Sequence, residues 1–393
     1  RALPRCAWHY TLSCFMTTAS LLCDSAYAGG IATDGRTQTQ LNVRGAVSDI
    51  TTQTVRGASA FNSFHRFNIG NGQTVNLFLP TGTANLLNLV RDERSQLDGV
   101  LNAYKDSRIG GNVFFLNPHG IMVGATGVLN VGSLTLATPT EQFMDSLLSP
   151  QGAVDDAALA DTLAGRIALT ESGLIQVKGR INAADAVNLM AGQVAVDAGA
   201  QVVAGPQAAA AFGDLVNIDA VAPAAGVAVV NGEIRITSLA DTVIAGKVAA
   251  DGAAGVKAGA VDIHAGGNVM LAAGAEVSAS GQGAASAGGK VLVYADHDAT
   301  LAAGSRIAAN AGVSGDGGQL ELSAHDTVTI QGGRLEAGAT FGLGGSILID
   351  PAIIAWTGSV LDQFSSGASI TVEASESITL DDVYLSSRKV AEA

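Results

Sequence analysis

Two of the six histidines in this 393-residue chain are followed directly by aspartate, as His297-Asp298 and His325-Asp326. They recur at similar places in adjacent repeats, so the two pairs could lie near one another and offer imidazole and carboxylate ligands to a metal. Solvated turn residues are the simpler reading. SGDGG (314–318) is a fragment of a glycine–aspartate calcium pattern, but it stands isolated and a turn explains it better. Polysaccharide cleavage needs carboxylates converging with a basic residue in a groove. Here Asp and Glu are scattered over turns. No catalytic, cofactor-binding or metal site is assigned, and the chain is not expected to be an enzyme.

The other candidate is a corner. NVFFLNPHGIMVG (112–124) begins as a buried strand, stops at Asn117-Pro118-His119-Gly120, and restarts at Ile121-Met122-Val123. Pro118 fixes φ, Gly120 permits a turn, and Asn117 can satisfy turn backbone groups. The structural expectation is that the two strands join successive coils. The functional one is that a partner reads the same segment. The two can coexist.

The elements that position this corner are repeats. GEIRI (232–236), GAVDI (259–263), GGKVLV (288–293), GGQLEL (317–322) and GGSILI (344–349) each open on glycine and then alternate. The anchors Ile234, Val261, Val291, Leu320 and Ile347 step by 27, 30, 29 and 27 residues. A second set, Ile244, Leu271, Leu301 and Ile330, steps by 27, 30 and 29. Period-2 alternation over four to six residues with A-G or G-G corners predicts short strands and tight turns. One such coil cannot bury its apolar side alone, whereas stacked coils share an aliphatic ladder, each buried Val, Leu or Ile contributing roughly 1.5–3 kcal/mol. The prediction is an all-β chain: a right-handed parallel β-helix, by the general crossover preference, with an N-terminal cap. Residues 171–205 share the texture in looser register. EQFMDSLLSPQGAVDDAALADTLAG (141–165) is acidic, with Leu and Ala at helical spacing, and predicts a short helical or loop excursion.

Composition narrows the class. The chain is 48% hydrophobic and only 14% charged, with 49 glycines against 8 prolines, which excludes collagen and proline-rich linkers. Residues 1–28 read as a secretory leader: Arg1 and Arg5, the apolar LSCFMTTASLL, and an Ala26-Tyr27-Ala28 cleavage site. No other segment is long and apolar enough to span a bilayer. All three cysteines (Cys6, Cys14, Cys23) precede that site, so the mature chain would have none to bridge in an oxidising compartment. Arg1, Arg5 and Asp24 would leave with the leader, so 19 basic and 34 acidic residues remain of 21 and 35. That balance, with no Lys/Arg cluster, disfavours a nucleic-acid partner. Trp8 would leave too, and a lone Trp356 makes a poor sugar-stacking platform.

The N-terminal third resembles the secretion domain of the filamentous haemagglutinin family, the exoproteins of two-partner secretion in Gram-negative bacteria. FHRFNIGNGQTVNL is similar to the family's Phe-x-x-Phe-Asn-Val strand pair, NLLNLVRD to its Asn-Arg-Val segment, and SQLDGVL to its Ser-x-Ile-x-Gly-x-Leu. NVFFLNPHGIMVG resembles its Asn-Pro-Asn-Gly-Ile signature, VLNVGSLTLATP the strand after it, and GGSILIDP (344–351) a segment of its longer members. Two positions depart: His119 stands for Asn, and Leu89 for the Arg after Asn88, with Arg91 two residues on. The resemblance implies secretion-motif roles for Asn88, Asn117, Pro118, Gly120 and Ile121. It implies an outer-membrane β-barrel transporter with periplasmic recognition domains as partner, and a chain held unfolded in the periplasm that folds at the cell surface. The expected division is a leader (1–28), a two-partner secretion domain (29–230), β-helix repeats (231–350), and a C-terminal β segment with a charged tail (351–393). Adhesion or surface display, through a host or neighbouring-cell receptor, is the expected output. The front end of a larger haemolysin or contact-dependent toxin, or an extracellular polysaccharide-active enzyme, are the alternatives.

Overall fold

The computed structural model describes residues 30–213, 231–357 and 367–381. The expected leader, with Ala26 and Ala28, and the charged tail from 384 lie outside the described residues.

The chain winds as a parallel β-helix with three faces. The first face stacks Ser59–Arg66, Asn85–Val90, Asn112–Leu116, Ser133–Ala137 and Ala186–Ala191. It continues through Glu233–Ser238, Ala260–Ala265 and Lys290–Ala295 into the long strands Gln319–Gln331 and Ser346–Thr357. The second face carries Ser95–Leu97, Ile121–Val123, Leu174–Val177 and Gln193–Val196 upward. It continues through Thr242–Ile244, Val269–Leu271, Ala299–Leu301 and the distal part of the long strand Gln319–Gln331, which turns the corner from the first face. The third begins at Val47–Thr52 and runs through Thr74–Phe78, Val100–Lys105, Val128–Val131, Arg180–Ala183 and Gln201–Ala204.

Alternation drives one side chain of each pair inward, where identical positions pile up. Leu86, Val113, Leu134, Val187, Ile234, Val261, Val291, Leu320 and Ile347 form one column in strict register. Val261, Val291 and Leu320 are 1%, 0% and 2% exposed, so the predicted anchors do share one core. The glycines opening each repeat make a second column. A Cβ on Gly259, Gly289, Gly318 or Gly345 would lie 1.7, 1.9, 2.2 or 1.9 Å from the carbonyl oxygen of the glycine one coil below. Only bare backbone fits a corner nested that closely.

The N-terminal end is closed by strands of opposite polarity. Thr39–Arg44 lies antiparallel on Val47–Thr52, turning at Gly45 with φ +60°. Ala32–Thr33 and Val55–Arg56 both lie antiparallel on Ser59–Arg66.

The predicted excursion contains two helices, α1 (Glu141–Leu147) and α2 (Asp156–Leu163). Thr140 caps α1 by accepting from the Phe143 N–H at 3.2 Å, and Asp155 caps α2 by accepting from Ala158 at 2.8 Å. Both cover the first face, whose early strands are apolar outside as well as inside. Phe61, Leu87, Leu89, Phe114, Leu116 and Ala137 point outward and pack on Met144, Leu147, Leu148 and Leu159. A third helix, α3 (Pro206–Gly213), sets Ala208 and Phe212 against Tyr104, Ile109 and Val203 outside the third face.

Candidate functional site

The corner at 117–120 links the first face to the second within one coil. It does not join successive coils as the strand–turn–strand text suggested. Four residues between Leu116 and Ile121 can turn a corner, whereas one coil takes about 27 residues to return to the same face.

Asn117 is fully buried and uses both ends of its amide. Its Oδ1 accepts the His119 N–H at 2.9 Å, making an Asx turn, while its Nδ2 donates to the Glu93 carbonyl and to Ser95 Oγ, each at 2.9 Å. The second contact reaches down to the preceding coil. The Gly120 N–H closes the turn onto the Asn117 carbonyl at 3.2 Å, and the Asn117 N–H bonds the Ala137 carbonyl of the next coil at 3.0 Å. Gly120 has φ +102°, and a Cβ there would sit 2.9 Å from the Leu174 carbonyl oxygen. Pro118 is buried, and Ile121 is buried in the core between Ser95 below and Ile175 above. His119 alone reaches solvent, its Nε2–H donating to the Arg91 carbonyl at 2.6 Å. An imidazole thus does the bridging work at this position.

Asn88 lies one coil below, opposite Phe115, and points inward with 0% exposure. Its Oδ1 accepts from Asn62 Nδ2 at 3.0 Å and its Nδ2 donates to the Phe114 carbonyl at 3.2 Å. Thr39 Oγ1 of the cap donates to Asn62 Oδ1 at 2.9 Å, so the inner amides tie cap, first coil and second coil together.

Leu89 lies under α1 in the apolar patch, and Arg91 is the cation that matters. Its side chain is 10% exposed. Nη1 meets Asp145 at 2.7 Å, and Nη2 donates to the Leu148 carbonyl at 2.9 Å and to Met144 at 3.4 Å, at the C-terminal end of α1. A cation there also complements the helix dipole. Nε lies 3.5 Å from Asp34, which also accepts from Ser63 Oγ at 2.6 Å and the Arg36 N–H at 3.0 Å and lies 3.5 Å from Arg36 Nε. Arg36 Nη1 shares Asp145 at 2.9 Å. Burial, then the neighbouring Arg36 charge, push the Arg91 guanidinium below its usual value, yet a guanidinium stays charged under all ordinary conditions. Between this knot and the corner lies an open pocket of about 270 Å³, lined by Arg36, Arg91, Pro118 and Glu141 among others.

Two further features bear on the sequence reading. Asn76, Asn102, Asn130 and Asn182 form an outer amide ladder, in which each Nδ2 donates to the Oδ1 one coil below at 2.9–3.2 Å, ending on Asp49. Their spacing of 26, 28 and 52 residues was the available signal. His297 and His325 do come together: both Nδ1 atoms bond Asp326, at 3.1 and 2.8 Å, and hold its carboxyl below the usual range. The group is exposed, and among the described residues no set of three His, Cys, Asp or Glu side chains is arranged to hold a metal.

The chain is in class a parallel β-helix, its first coils pinned by an Asn-Pro-His-Gly corner. The family described as TPS secretion domain matches residues 29–363, and the chain belongs to that family. It is a two-partner secretion exoprotein, exported through the outer membrane by a TpsB-type transporter. Among solved structures it is similar to the HMW1 secretion domain from Haemophilus influenzae, at 18% identity and TM-score 0.42, covering 90% of this chain and 100% of that one. It is also similar to a filamentous hemagglutinin secretion domain, at 15% identity and TM-score 0.36, covering 90% and 98%. No curated protein matches. The family is a secretion domain and not a known enzyme family. Among the described residues no helix is long and apolar enough to cross a membrane.

Proposed function

We propose that Asn88, Asn117, Pro118, Gly120 and Ile121 belong to an export signal that the transporter's periplasmic domains read in the unfolded chain. One observation carries this reading: all five are buried, and both asparagine amides are bonded at their oxygen and their nitrogen inside the coil. A partner that recognises them must therefore do so before the coil closes. Folding then hides the signal, so release from the transporter and closure of the first coils favour one another. A leader ending at Ala28 would deliver the chain to the periplasm, and a chain without mature cysteines would thread unbridged. Residues 29–230 would carry the export function and 231–350 mainly extend the cylinder.

The test separates reading from folding. Urea-unfolded and folded protein are presented to the transporter's immobilised periplasmic domains, with Asn117→Ala and Asn88→Ala beside wild type. Retention of the unfolded wild type only, weakened by either substitution, is expected. Equal retention of folded protein, or no effect of either substitution on retention, sinks the reading and leaves these residues to the turn alone.

Outside the cell the protein acts as an adhesin or displayed surface protein. Its second face supports this reading: the outward column Ala195, Val243, Met270, Thr300 and Thr329 is uncharged on a chain of net charge −14. Such a strip offers uncharged contact, with the carboxylates of Asp241 and Asp298 at its edge. Retention of purified protein on intact cells, reduced by Met270→Glu, is the expected result. Indifference to that substitution removes this face from the account.

A further inference from the structure

We infer that the excursion between Thr138 and Thr170 is a folding latch, without which the first coils do not close. This rests on the reading above, that the chain crosses the membrane unfolded.

The early coils are built differently from the later ones. Ala260–Ala265 alternates buried and open positions, whereas Asn85–Val90 is buried at nearly every residue. The outward columns Phe61–Leu87–Phe114 and Leu89–Leu116–Ala137 run in register up the first face. Above the excursion, the first of these columns changes to Asn188, Arg235 and Asp262. Without α1 and α2 the lower part would present a contiguous apolar patch to water, which monomeric surfaces rarely do.

Charge complementarity marks the occupant. The excursion is acidic, and three arginines from the N-terminal coils reach it: Arg36 and Arg91 meet Asp145, and Arg56 Nε meets Asp156 at 2.7 Å. Gly152 packs its backbone on Arg36, where a Cβ would lie 2.4 Å from the carbonyl oxygen. Arg91 is enclosed by atoms of residues 34, 63, 144, 145 and 148, so its buried charge has no full set of partners until residue 148 is in place. During export these partners arrive late. Residues 34–91 would emerge with the apolar columns open, Arg56 without Asp156, and Arg36 and Arg91 sharing the single carboxylate of Asp34, and closure would wait for 141–163.

The excursion can be removed cleanly. Thr140 N–H bonds the Ala168 carbonyl at 2.8 Å and Thr170 N–H bonds the Thr138 carbonyl at 2.9 Å, so its two ends lie side by side. The experiment replaces 140–168 by two glycines in the full chain and follows amide hydrogen exchange strand by strand. Protection in Ser59–Arg66, Asn85–Val90 and Asn112–Leu116 is expected to fall by about tenfold or more, while Lys290–Ala295 keeps its own. Unchanged protection in the first coils, or an even loss in all coils, overturns the latch. Asp145→Asn keeps the question answerable if the excised chain does not fold: loss confined to the first coils supports the latch, and no loss or even loss overturns it. Binding of the urea-unfolded variants to the transporter domains reports separately on the export signal. Failure there would count against that reading and not against the latch.

Discussion

At the scale of single residues, the corner concentrates its requirements on two side chains and one missing one. Gly120 holds a positive φ and faces a carbonyl at contact distance, so Gly120→Ala should cost about 1–3 kcal/mol, seen as a lower urea midpoint. His119 is the tolerant neighbour, and His119→Asn should leave that midpoint within about 0.5 kcal/mol of wild type. Charge sets a different limit near the upper coils. Burial pushes the Glu336 carboxyl up, but hydrogen bonds from Arg306 and Asn310 and the charges of Arg306 and Arg334 outweigh it and hold it below the ordinary 4.5. A depressed folded value means that its stabilisation is present above the ordinary glutamate range and fades as pH falls through the lowered one. Acid exposure below that range should therefore loosen the coil around Arg306–Ala308 and Arg334–Glu336. In Glu336→Gln that pH dependence should be flatter, as read by exchange protection across a pH series.

At the scale of elements, the outer amide ladder behaves as one object. Asn130 has 0% exposure and sits mid-ladder, so Asn130→Ala leaves a buried donor above and a buried acceptor below. It should cost about 2–3 kcal/mol in a urea titration, more than Asn76→Ala nearer the end, where Asp49 is already partly open. This ladder also shows where reading the chain as text stops. The aliphatic anchors were legible because alternation and a 27–30-residue step are both local patterns. The helical spacing of 141–165 was legible for the same reason. Asn130 and Asn182 escape notice because the excursion separates them by 52 residues while the fold stacks them directly. Arg91 is legible only as a displaced arginine; its role escapes because its partners are Asp34, Ser63 and, more than fifty residues on, α1 and its end, and only tertiary structure joins them. The helix α3 was hidden by alanines that suit a strand corner as well as a helix; an N-terminal cap was expected, but not its antiparallel pairing, which carries no repeat.

At the scale of the molecule, stability is close to a sum of coils and their interfaces. The glycine corners make this strict: Gly289→Ala would drive a methyl into the Gly259 carbonyl and disturb two coils at once. Whole-unit editing avoids that clash. Deleting 259–288 removes one turn of the cylinder and lets Gly289 sit over Gly232, so a folded protein with native-like circular dichroism is expected. Deleting half that length should abolish the cooperative transition, since every inward side chain above would change face. Finally, the strand Thr39–Arg44 has a consequence for many copies crowded at a surface. A head-to-tail polymer needs a bare parallel edge at both ends of each subunit. Among the described residues the lower end offers on this face a strand of opposite polarity, so a parallel, in-register joint lacks its matching half there, and these coils should not concatenate by parallel stacking into fibres.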